Sequence, residues 1–241
     1  MPRPFLVSLA LGAFLAAQAH AQTVASYDAC IALAQREPVA ALSAADGWFA
    51  QGGGDAARHC RAMALASLGS FAEAARTVEE LAAVTGDMAG QADLHSQAGD
   101  FLMAAGDAAA ARAAFDRALA LEPQNVMALD GQARAAAAQR DFATAIMALD
   151  NLVWMVPNDA EALALRAAAR RRSGDRIGAR NDAEAGVAAN PNSAVAYFER
   201  GAIRAVEGDL AGARADWSHA EALDPGGETG QLALTNRQRL P

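Results

Sequence analysis

Four prolines, Pro123, Pro157, Pro191 and Pro225, recur at one fixed interval, a period of about 34 residues. Four aspartates keep the same interval, at Asp107, Asp141, Asp175 and Asp209, and so do Ala111, Ala145, Ala179 and Ala213. Three columns sharing one period over four copies require a chain built from stacked copies of one unit. The columns also describe the unit. Each Asp follows a break at Gly106, Arg140, Gly174 or Gly208. Glycine tolerates the left-handed backbone that ends a helix. The Asp after it accepts the free N–H groups of the next helix and suits that helix's positive end. The Pro falls where the second helix must stop. The Ala column lies inside the second helix, where two backbones need to approach closely. The unit is therefore helix, turn, helix. Ala113, Ala114, Phe115, Ala118, Leu119 and Leu121 make such a helix apolar over much of its circumference, as packing on two sides requires.

Composition agrees. Of 241 residues 53% are hydrophobic but only 5% aromatic, and 68 are alanine, the best helix former and a poor strand former. The expected architecture is all-α, a right-handed α-solenoid of about six antiparallel helix pairs. The net charge of -8 argues against nucleic acid or an anionic membrane surface as the main partner. All 20 basic residues are Arg. The absence of Lys removes lysine phosphate loops, Schiff-base chemistry and protein-kinase chemistry.

Residues 1–21 read as a cleaved export signal: Arg3, an apolar run from Phe5 to Ala17, then Ala19-His20-Ala21 as the cleavage pattern. Cleavage after Ala21 predicts a periplasmic chain with no membrane insertion. Residues 22–91 read as an atypical amino-terminal repeat region. Its helices are predicted over 26–36, 39–51, 55–68 and 71–85, with Asp55 and Ser70 as helix caps. Four regular units follow over 92–227, at 92–125, 126–159, 160–193 and 194–227. Residues 228–241 form a short cap and tail. Cys30 and Cys60, the only cysteines, suit a disulfide in an oxidising compartment. Two free buried thiols, or a metal site using His59, are the alternatives. The latter lacks a standard ligand spacing.

The repeat resembles the tetratricopeptide repeat. The large residue in the first turn of the first helix is His95, Leu129, Leu163 and Tyr197 in the successive copies. The small residue that follows is Gly99, Ala133, Ala167 and Gly201, and the second-helix aromatic appears as Phe115, Leu149, Ala183 and Trp217. Ala183 and Gly186 predict that the second helix of the third copy, 176–189, is the least well packed. The resemblance implies a concave groove, lined by the first helices, that takes a peptide or a helix of a protein partner. Its groove-facing positions fall on Gln97, Asp100, Met103, Asp130, Arg134, Leu165, Arg171, Phe198 and Ala202. Without Lys, the Lys-bearing clamp that chaperone-binding relatives use for a terminal carboxylate is absent. The mixed lining implies a mixed-charge or apolar segment.

Arg166 and Arg200 are one period apart, and Asp182 and Asp216 each follow by sixteen. One reading is an anion site for an acidic peptide. The other is a set of structural ion pairs, as the family resemblance also implies. Arg171 and Arg172 lack an evident partner and are candidates for ligand contact. No catalytic constellation is present. His59, His95 and His219 fall on different helices, Gly52-Gly53-Gly54 has no following Lys, and Glu79-Glu80 point apart. The sequence predicts a non-enzymatic interaction adaptor of the cell envelope with no cofactor and no metal. The alternative is an assembly subunit acting through self-association or its edges.

Overall fold

The computed structural model describes residue 24 and residues 26–241. The predicted export signal, 1–21, lies outside the described residues. Among the latter are 13 α-helices and no strand. They run in pairs: α1 (Tyr27–Arg36) with α2 (Pro38–Ala50), α3 (Gly54–Ser67) with α4 (Phe71–Ala82), and α5 (Met88–Ala104) with α6 (Ala108–Leu121). Next come α7 (Val126–Ala138) with α8 (Phe142–Met155), α9 (Ala160–Ser173) with α10 (Arg176–Ala189), and α11 (Ala194–Glu207) with α12 (Leu210–Leu223). α13 (Glu228–Arg239) closes the stack. Helix α5 begins at Met88, one turn ahead of residue 92.

Each helix packs on the helix before and after it. Some successive first helices also touch (α1 on α3, α5 on α7, α9 on α11), whereas α3 with α5, α7 with α9 and the second helices among themselves make no comparable contact. A stack tight on one side and open on the other curves, with the first helices on its inner wall.

Side-chain caps start most helices. Asp107, Asp141, Asp175 and Asp209 accept from the N–H of Ala110, Thr144, Gly178 and Gly212 at 2.9–3.2 Å. Asn125, Asp159 and Ser193 do the same for α7, α9 and α11. The breaks before the Asp column are left-handed: Gly106, Gly174 and Gly208 have φ of 81–95°. Arg140 holds the same place at φ 62°, the one non-glycine with positive φ among the described residues. Two expected caps fail. Ser70 precedes α4 without a side-chain hydrogen bond. Helix α3 starts at Gly54, which places Asp55 inside its first turn, where it meets the helix dipole but caps nothing.

The seam joining α5, α6 and α7 is filled by Phe115, which is fully buried. A Cβ on Gly99 would come within 2.6 Å of its ring, and one on Gly131 closer still. The seam around α9 and α10 is held differently. Arg166 binds Asp182 through Nε at 2.9 Å and Nη2 at 2.7 Å, and reaches Asp150 at 2.8 Å. Arg170 joins the same two carboxylates. Burial works against the Arg166 charge, but Asp182 and Asp150 outweigh it and hold the guanidinium above its ordinary range. Arg200 binds Asp216 in the same two-pronged way at 2.7 and 3.0 Å, joined by Arg204. Helix α10 is regular and lies close on α9. A Cβ on Gly186 would stand 3.3 Å from the Ala160 carbonyl. The expectation that α10 is the least well packed helix is not met: it lacks a large side chain, but small residues draw the backbones together and leave no gap.

Cys30 and Cys60 form a disulfide between α1 and α3, with Cα atoms 6.0 Å apart. No helix among the described residues is long and apolar enough to cross a membrane.

Candidate partner-binding groove

The inner wall is built by α5, α7, α9 and α11, and the nine predicted groove residues divide into three groups. Gln97, at the amino-terminal end, is engaged within the fold. Its Oε1 lies 2.8 Å from His59 Nε2, whose Nδ1 lies 2.7 Å from the Tyr27 hydroxyl. The three fit one assignment, with Tyr27 donating to His59 and His59 donating to Gln97. The relay ties α1, α3 and α5 together.

Met103, Leu165, Phe198 and Ala202 are half-buried in the seams. Met103 packs beside Phe115, Leu165 beside Leu129 and Leu149, and Phe198 and Ala202 beside Trp217. The Trp217 indole donates to the Phe198 carbonyl at 3.1 Å.

The remaining four are charged. Asp130 and Arg134 pair within α7 at 2.7 Å. Burial pushes the Asp130 carboxyl up, Arg134 draws it back, and Asp159 and Glu161 raise it further. Asp100 on α5 is also pushed up, first by crowding of the surrounding helices and then by Asp130, with Arg134 opposing. The α5–α7 end of the groove therefore carries excess negative charge. Arg171, expected to be without a partner, donates from Nη2 to Glu199 of α11 at 2.9 Å. No column signals that pair: the positions one period away are Ala137 with Leu165 and Ala205 with Ala233. Arg172, next along α9, is exposed and makes no ion pair among the described residues.

Between α7 and α9 the wall opens into a cavity of about 140 Å³. Ala133, Ala137, Ala168, Ala169 and Leu165 form its sides, Ala145 and Leu149 of α8 its floor, and Arg134, Arg172 and Glu199 its rim. Its origin is the aromatic column. Phe115 fills the preceding seam, whereas Leu149, one period on, stops short. The three described histidines sit apart. Besides His59 in the relay, His95 lies 3.1 Å from Glu79 and His219 packs on the Tyr197 ring. No group of three or more metal-ligating side chains occurs among the described residues.

No family model matches the chain, and no curated protein matches it in sequence. Solved structures do match in shape. The C-terminal part of a TPR repeat-containing protein from Cytophaga hutchinsonii superposes with a TM-score of 0.66 at 14% identity, over 88% of this chain and 84% of that one. YrrB, described as a TPR protein with an unusual peptide-binding site, gives 0.58 at 18% identity, over 80% and 96%. MamA from Desulfovibrio magneticus RS-1 gives 0.59 at 22% identity, over 67% and 90%. At such identities the likeness is one of fold, and the fold of this chain is the tetratricopeptide-repeat solenoid.

Proposed function

We propose that this chain is a non-catalytic adaptor of the cell envelope that holds a peptide or a helix of a protein partner in its concave groove. One observation carries the reading: the inner wall carries an exposed Asp100, an exposed Arg172 and a cavity lined mainly by alanine and leucine, none of them filled by packing of the stack. YrrB, of the same fold, has a peptide-binding site in its own description. We take 92–227 as the binding module, four units of one period each, and 22–91 and 228–241 as its caps. The Cys30–Cys60 disulfide favours an oxidising compartment, so export with cleavage after Ala21 into a periplasm is part of the proposal. Intact mass of the chain purified from the envelope tests the cleavage. Crosslinking in that envelope tests the groove. Arg134→Glu combined with Phe198→Ala abolishes partner capture if the groove is used, and unchanged capture refutes it.

A second reading has its own support. Met147 and Trp154, two turns apart on the outer face of α8, are 62% and 76% exposed. Where this unit has Met147 the others carry Ala113, Asn181 and Ala215, and where it has Trp154 they carry Ala120, Ala188 and Ala222. Such an apolar pair suits self-association or assembly through the outer face. A defined oligomer by light scattering that Trp154→Arg converts to monomer favours this reading over the groove.

A further inference from the structure

We propose that the cavity between α7 and α9 is a specificity socket for one leucine-, methionine- or phenylalanine-sized side chain of the partner, flanked there by a carboxylate. The inference rests on the groove reading and names what the groove selects. A cavity of about this size has room for a guest as large as a single six-membered ring. Alanines and two leucines make up most of the socket, and Arg134, Arg172 and the buried Glu199 supply its polar lining. A side chain entering it gains burial against the alanines and leucines of its lining.

The rim supplies the second half of the argument. Arg134, Arg172 and Glu199 line the opening; Arg134 is paired with Asp130 and Glu199 with Arg171. One positive charge is left over. Arg172 is exposed and has no carboxylate of its own among the described residues. A carboxylate on the residue beside the inserted side chain completes this set through charge-assisted hydrogen bonds. Toward α5 the sign reverses, because Asp100 stands with Asp130 and has no ion pair. The occupant is therefore an extended segment ordered in space as acidic, apolar, basic from α9 to α5.

The test is selection of a random linear peptide library on the chain purified after export, followed by affinities of synthetic consensus peptides by fluorescence anisotropy. The expected consensus places Leu, Met or Phe next to Asp or Glu. Ala168→Leu, which plugs the socket, weakens these peptides about 10-fold to 100-fold, the scale of one buried apolar side chain. Ala137→Leu plugs it from the opposite wall and gives the same loss should the first variant fold poorly; circular dichroism checks both. Arg172→Glu reverses the preference for the acidic residue. Consensus peptides that ignore both plugs yet lose binding with Arg134→Glu overturn the socket while leaving the groove. Peptides that ignore all of these changes, or a selection that enriches nothing, overturn both.

Discussion

The seam at α5, α6 and α7 and the seam around α9 and α10, two units on, solve the same problem with opposite chemistry. In the first, one aromatic ring fills the space that Gly99 and Gly131 leave open. In the second the equivalent side chain has shrunk to Ala183, and the helices are joined by Arg166 and Arg170 clamped between Asp150 and Asp182. The apolar solution adds stability directly, whereas a buried ion cluster chiefly fixes register, since its attraction is offset by desolvation. The contrast teaches that the repeat dictates helix positions but not the means of joining them. Leu149, one period on from Phe115, is too small to fill its seam and leaves the cavity.

The largest effect separates the seams most sharply. Phe115→Ala opens a cavity beside two glycines that cannot close it and costs about 3–5 kcal/mol in urea unfolding. Asp182→Ala leaves Arg166 and Arg170 sharing Asp150 and costs about 3 kcal/mol or more. Asp182→Leu together with Arg166→Met then recovers much of that loss, while no second change at an alanine neighbour rescues Phe115→Ala. Equal recovery at both seams would erase the distinction. Next comes Cys60→Ser. The bridge closes a 30-residue separation, worth about 3–4 kcal/mol in the chain-entropy account. Its loss lowers the midpoint of the α1–α4 region without loosening either seam, as hydrogen exchange would report.

Two smaller tests concern the turn at Arg140. Arg140→Gly removes a left-handed non-glycine and stabilises by about 1 kcal/mol. Asp141→Ala removes the cap that follows. Hydrogen bonds from the Thr144 side chain and backbone, helped by Arg112, hold the Asp141 carboxyl below the usual carboxylate range. A carboxyl lowered on folding stabilises above its unfolded value and ceases to as pH falls through its folded value. The thermal difference between Asp141→Ala and the parent is therefore full at neutral pH and shrinks in acid. A difference that grows in acid would show that the hydrogen bonds do not act on the ionised form.

Helices α5 to α12 were legible because their start and stop signals recur in register, and each Asp cap carries its own mechanism. The amino-terminal caps were not. Ser70 and Asp55 are residue types that often cap, yet whether they do depends on backbone angles that no neighbouring copy repeats. In the groove, Asp130 and Arg134 sit four apart on one helix, so their meeting follows from helical geometry. The Arg171–Glu199 pair joins two helices only once, so no column announces it. The cavity is a volume left by Leu149 and Leu165 together, and a difference of volumes has no signature in residue spacing.

The bond between Cys30 and Cys60 gives this stack a direction. A row of bricks held by nearest-neighbour contacts peels from whichever end is weaker. Here the amino-terminal end is riveted, α1 to α3. Peeling therefore begins at α13 and travels backwards, so the binding wall comes apart before the riveted end does.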